Sequence, residues 1–150
     1  MPLRTKPAAA GTRRSRPKLL TEMLSDEVAV ARERLGDRIA ELRVVGTDVM
    51  CRLEGTNVGA VILRFAARDY DAEPLRFAVV TSLGEVAERV AWPGNLFHSI
   101  HPILERPFSC VQGTYEYHCF PGHTADRWDT HRATLRLPRL LDHLVIKAGL

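Results

Sequence analysis

The sequence predicts one α+β domain, and three observations predict it. Apolar residues recur at helical spacing from Leu20 to Leu42. Residues 44–79 then hold alternating apolar stretches joined by short turns, and residues 137–148 return to helical spacing. Strands that follow one another without intervening helices imply an antiparallel meander, not parallel crossover units.

The first helix rests on Leu20, Leu24, Val28, Ala31, Leu35, Ile39 and Leu42, whose steps of three and four fall on one face. Glu27, Arg32, Glu33, Arg34, Asp37 and Arg38 largely cover the other face, and Gly36 marks a point where the helix can break or restart. Val49, Cys51 and Leu53 alternate within a strand over 44–53, and residues 54–57 (Glu-Gly-Thr-Asn) read as a turn. A second strand over 60–66 carries Val61, Leu63 and Phe65, residues 68–71 interrupt the pattern, and Leu75, Phe77 and Val79 form a third. The meander therefore has three to four strands. Residues 91–129 are irregular and dense in Trp, His, Pro, Gly and Cys, as in a long functional loop. Leu137, Leu140, Leu141, Leu144, Val145 and Ala148 mark the closing helix, with Pro138 in its first turn and Gly149 at its end.

A chain of 150 residues with 45% hydrophobic and 26% charged residues has the composition and size of a single globular domain. It contains no apolar run long enough for a membrane span, and no apolar stretch of a secretory leader near its start. Three cysteines are too few for a disulfide framework, so free thiols in a reducing cytoplasm are expected. Residues 1–18 carry six basic side chains and no acid. Taking those six from the 21 basic residues leaves 15 against 18 acidic ones, a body of net charge −3. The basic stretch reads as a disordered, solubilising tail preceding a domain over 19–150, and neither a membrane nor a nucleic-acid partner is expected. High Arg and Ala usage suggests a bacterial source.

The residues with chemistry lie in the irregular segment. Cys51 falls in a strand pattern and reads as a small core residue. Cys110 lies among His101, Glu105, Arg106, Glu116, His118 and His123, surroundings in which a thiolate serves as nucleophile or metal ligand. In the metal reading, Cys110, Glu116, His118 and one of Cys119, His123 or His131 would close around zinc. Glu116 and His118 would then alternate on one side of a strand. In the nucleophile reading, Cys110 carries an acyl group.

Five features in order carry a resemblance to a known family, and through it they bear on the nucleophile reading. Residues 38–42 (Arg-Ile-Ala-Glu-Leu) close the first helix. Residues 67–77 supply a turn containing Tyr70 and Pro74. His101-Pro102-Ile103 follows, Cys110 stands nine residues after His101, and Trp128 precedes the last helix. Over residues 20–148 this order resembles the ubiquitin-conjugating enzymes, with their amphipathic helix, meander, Tyr-Pro turn, His-Pro-Asn motif, thioester cysteine, Trp and helix. Ile103 replaces the oxyanion-supporting Asn, Tyr70-Asp71 replaces Tyr-Pro, and the stretch from Cys110 to Trp128 is longer than in typical eukaryotic members. In these departures the chain is similar to prokaryotic relatives encoded beside a ubiquitin-like protein, an adenylating enzyme and a JAB-type metalloprotease.

The resemblance implies a ubiquitin-conjugating-like fold and a cytoplasmic transferase without a cofactor, in a setting of antiphage defence. Cys110 would accept the ubiquitin-like protein from the adenylating enzyme as a thioester and pass it to an amine on a target protein. Asn95, His101 and His118 are candidates for supporting the oxyanion, and Glu116, His118 and Asp126 for deprotonating the amine. His101 before Pro102 also has a structural role as holder of the loop. Trp92, Trp128, Phe97 and Tyr117 are assigned to packing. The pattern Cys110, Glu116, His118, His123 also resembles a predicted Cys-Glu-His-His metal-binding family from the same kind of operon. A relative that only binds a ubiquitin-like protein is the third possibility.

Overall fold

The structure, a computed structural model, describes the backbone of residues 8–150 and the side chains of residues 19–150. Of the expected disordered basic tail, residues 1–7 lie outside the described residues, and the backbone of residues 8–18 forms the start of helix α1. Helix α1 (Ala8–Leu35) leads into β1 (Glu41–Val45), β2 (Asp48–Thr56), β3 (Gly59–Ala66) and β4 (Arg76–Val80). These four strands form one antiparallel sheet in the order β1-β2-β3-β4. A minimal hairpin follows, β5 (Ser99–Ile100) with β6 (Pro107–Phe108), then the single-turn helix α2 (Tyr115–His118) and finally α3 (Leu137–Lys147). Among the described residues, no helix is long and apolar enough to cross a membrane.

One face of the sheet carries the core. Leu42, Cys51, Leu63 and Val79 stand opposite one another across the four strands, as do Val49, Phe65 and Phe77 across three. All seven are at most 2% exposed. Alternation places their neighbours Arg43, Arg52 and Arg64 on the other face, which explains the period-two pattern in the sequence. Leu24, Val28, Ala31 and Leu35 of α1 pack onto the same core, together with Leu140, Leu141, Leu144 and Val145 of α3. Cys51 is fully buried there, and burial pushes its thiol up to about 12, so it is an inert core residue.

Two boundaries differ from the sequence reading. The first helix does not continue to Leu42. Gly36 adopts φ +53, a left-handed conformation that ends α1, and a 3-10 turn over Gly36–Arg38 redirects the chain into β1. Leu42 still reaches the core, but as a strand residue. The stretch 44–53 is likewise two strands, because Gly46 at φ +63 opens a tight turn between β1 and β2.

A half-buried polar node ties α1, the 70–71 turn and α3 together. The Glu27 carboxylate accepts from Tyr70 Oη (2.7 Å), from the Leu137 backbone N–H (2.9 Å) and from Arg136 (2.7 Å). Arg136 also bonds Asp71 at 2.6 Å and lies over the Tyr70 ring. Glu27 thus satisfies a donor at the start of α3 that has no partner within the helix. Replacing Glu27 by Ala leaves the Tyr70 hydroxyl and the Leu137 N–H without this acceptor, removes one of the two carboxylates on Arg136, and should cost about 2–4 kcal/mol in denaturant unfolding. Arg34→Ala, which removes an exposed pair with Asp142, should cost less than about 0.5 kcal/mol. Equal costs would show that the node is no stronger than a surface pair.

Candidate functional site

The segment expected to be one long loop is a series of short elements held against the sheet. After β4 the chain runs beneath the end of α3, where the Asn95 N–H bonds the Lys147 carbonyl at 2.7 Å. The approach is close: a Cβ on Gly94 would stand 2.4 Å from that carbonyl oxygen, so only glycine fits. Trp92 packs edge-on against Phe77 and Phe97, and Trp128 donates its indole N–H to Asp71 O at 2.8 Å. Trp92, Phe97 and Trp128 serve packing, as read from the sequence.

His101 organises the turn between β5 and β6. It is fully buried, and its Nδ1 accepts the backbone N–H groups of Ile103 and Leu104, both at 3.1 Å. Nδ1 therefore carries no proton, and the protonated Nε2 donates to Glu116 O at 2.9 Å. Both ring nitrogens are occupied in holding the chain. Cys119 Sγ lies 3.4 Å from the same Nε2, at the side of a cleft of about 290 Å³ lined also by Glu73, Pro74, Tyr115 and Asp129.

Glu116 and His118 do not lie on a strand. Thr114 caps α2 by accepting the Tyr117 N–H, and residues two apart on a helix point in nearly opposite directions. Glu116 turns into the core, 1% exposed, where one oxygen accepts the Phe77 N–H of β4 (2.7 Å) and the other meets Arg106 (3.2 Å). Burial raises its carboxyl pKa, and the Phe77 N–H and the Arg106 charge oppose that rise. His118 points the other way. Its Nε2 accepts from the Gly113 N–H (3.2 Å), so the proton sits on Nδ1 and is donated to Asp126 O (2.7 Å). Burial lowers its pKa, which favours the neutral ring, while Asp126 opposes that fall.

Cys110 lies two residues beyond β6 and is half-buried, with Sγ 3.4 Å from His123 Nε2. Burial raises the thiol pKa, and the positive charge of Lys147 partly opposes this. The His123 ring stacks on Tyr117, with centroids 4.1 Å apart and planes 13° from parallel. Tyr117 in turn donates its hydroxyl to Asp126 Oδ2 at 2.7 Å. Asp126 also accepts from Gln112 Nε2 (2.7 Å) and pairs with His131 Nε2 (2.6 Å). Tyr117, Gln112 and His131 together hold the Asp126 carboxyl well below the usual range, and the Asp126 hydrogen bond pushes Tyr117 up to about 12.

Of the residues expected at the site, the fold therefore pairs Cys110 with His123 and binds His101, Glu116 and His118 into the frame around them. Asn95 sits at the turn against α3. Sequence reasoning missed Gln112 and gave Tyr117 to packing. No periodicity links these residues to Asp126, because the 3-10 turns over Pro121–His123 and Trp128–Thr130 bring them together. No family model matches the chain, and no curated protein matches it.

The proposed zinc ligands do not assemble. Zinc requires three or four donors converging at about 2.0–2.3 Å. The Glu116 oxygens and both His118 nitrogens are committed to backbone and Arg106 partners, and they leave α2 on different sides. Among the described residues, no group of three or more His, Cys, Asp or Glu side chains is placed to hold a metal ion. Incubation with a strong chelator should leave the thermal unfolding midpoint unchanged. A drop of several degrees, restored by zinc, would show that these side chains rearrange to ligate it.

Proposed function

We propose that this protein is a divergent conjugating enzyme that receives a ubiquitin-like protein as a thioester on Cys110 and transfers it to a target amine. The observation that carries the reading is the half-buried Cys110 thiol with an imidazole nitrogen 3.4 Å from its sulfur. Placement also supports it. The thiol follows a His-Pro hairpin that itself follows a helix and an antiparallel meander, the order in which the conjugating-enzyme resemblance sets them.

The chemistry balances with this chain's residues. Cys110 is held protonated by its surroundings, so His123 takes the S–H proton as sulfur attacks the thioester carbonyl on the adenylating enzyme. The new carbon–sulfur bond forms, the old one breaks, and the imidazolium returns the proton to the departing thiolate. In the second step an amine of the target attacks the Cys110 thioester, the carbon–nitrogen bond forms as the carbon–sulfur bond breaks, and the proton that the amine loses passes through His123 to the departing Cys110 thiolate. His101, Glu116 and His118 act in this scheme as positioning residues, since their polar atoms already hold the backbone around the thiol. The Ile103 N–H is bound to His101, so the oxyanion takes its donors from elsewhere. The adenylating enzyme and the target are the required partners, and a JAB-type metalloprotease is the natural candidate to reverse the conjugate. A relative that only bound its partner would have no use for a paired thiol and imidazole.

Mixing this protein with its ubiquitin-like partner, the adenylating enzyme and ATP should give a covalent adduct on Cys110 that added thiol removes. Cys110→Ser should leave a reductant-resistant oxyester or nothing, while Cys51→Ser and Cys119→Ser should retain the adduct. His123→Gln should slow charging by about 10²-fold. An adduct that persists in Cys110→Ala would overturn the assignment.

A further inference from the structure

We propose that Tyr117, anchored by Asp126, is a positioning residue that presents His123 to Cys110 and stabilises the imidazolium formed when the thiol gives up its proton. The inference deepens the reading of Cys110 as the reacting thiol and rests on it.

Three observations meet at Tyr117. Its ring lies flat against the His123 ring at 4.1 Å and 13°, while the same imidazole has its Nε2 toward Cys110 Sγ. A near-parallel stack fixes the imidazole plane and so fixes the direction of Nε2. Tyr117 is itself immobilised, because it stands on the capped turn of α2 and its hydroxyl is bound to Asp126 at 2.7 Å. Asp126 takes two further hydrogen bonds, from Gln112 and His131, and Gln112 lies two residues after Cys110. One carboxylate therefore grips the chain on both sides of the thiol–imidazole pair.

The electrostatics of this arrangement have a definite sign. An aromatic face carries negative charge and attracts a cation lying on it. Donation of the phenol O–H to an ionised carboxylate moves electron density into the ring, toward the face against His123. Other charges and titratable groups around the pair are Lys147 from α3, His118 from α2, and Asp126 and His131 from the turns that follow. Of these, Lys147 acts on the thiol side and favours the thiolate. Tyr117 acts on the imidazole side. The two work in the same direction, toward a thiolate–imidazolium pair that burial of Cys110 otherwise disfavours.

The test is the rate of Cys110 alkylation by iodoacetamide as a function of pH, followed in Cys51→Ser/Cys119→Ser protein so that one thiol reports. It needs no conjugation partner. Wild-type protein should show reactivity near neutral pH that His123→Gln loses, leaving only the rise at high pH set by the thiol alone. Tyr117→Leu should slow alkylation at pH 7 by about three- to tenfold and converge with wild type at high pH, where solvent removes the proton. Tyr117→Phe and Asp126→Asn, which keep the ring or the acceptor, should fall between. A Tyr117→Leu profile that superimposes on wild type, or one lowered equally at every pH, overturns the proposal. So does a His123→Gln profile identical to wild type. The expected profiles in a protein that forms no adduct would retain this pairing and overturn conjugation alone.

Discussion

The hydrogen bond from the Phe77 backbone N–H to the buried Glu116 carboxylate is the contact on which the rest of the site depends. An open meander ends in an edge strand whose backbone groups need partners, and in this fold β4 is that edge. The later chain supplies them. Glu116 accepts from Phe77, and the Tyr115 N–H donates to Leu75 O at 2.9 Å, so α2 closes the edge where a fifth strand could otherwise add. Once α2 is fixed there, His101 is fixed through Glu116 O, the β5–β6 turn through His101, and Cys110 through the end of β6. The carboxylate that sequence chemistry placed in catalysis is what seats the Cys110 segment on the sheet.

That displacement of roles shows which kinds of information a sequence carries openly. Elements that bury a regular face were legible. The alternation of Val61, Leu63 and Phe65 and the three- and four-residue steps of the closing helix are direct images of the core they build. Boundaries were less so. Leu42 fits a helical step from Leu35 closely enough to extend α1 on paper, and only the left-handed conformation at Gly36 reveals that the same residue reaches the core from a strand. The site was legible as a neighbourhood and not as a geometry. Cys110 and His123 stand out by type, yet the choice of His123 over His101 and His118 depends on which imidazoles have already committed both nitrogens. That is a tertiary fact. Tyr117 was hidden for a related reason, since its aromatic ring looks like packing until the stack on His123 and the bond to Asp126 are seen together.

The same accounting bears on the choice between a covalent and a metal site. A metal centre needs free lone pairs converging on one point, whereas a thiol–imidazole pair needs only two groups and a frame that keeps them in register. This segment spends the polar atoms of its buried histidines and carboxylates on the frame. Glu116, His101 and His118 hold backbone groups, while Asp126 gathers Tyr117, Gln112 and His131. What remains directed at the sulfur is one imidazole nitrogen.

A raised thiol pKa at Cys110 looks at first unsuited to a nucleophile, but acyl carriage between thiols imposes two opposed demands. A strongly acidic thiol is ionised and ready, yet its nucleophilicity falls with its pKa, and its thioester loses the group readily to any attacker. A less acidic thiol makes a more basic, more nucleophilic sulfur and a thioester that holds its cargo better, but it is slow to ionise unaided. Burial sets Cys110 toward the second case, with Lys147 limiting how far. The imidazole 3.4 Å away then supplies what the second case lacks, a place for the proton during attack. On the proposed function, ionisation would thereby be confined to the moment when an electrophile is in reach. The carrier proposed above, which would accept a large protein from one thioester and surrender it only to the right amine, would be served by that division of labour.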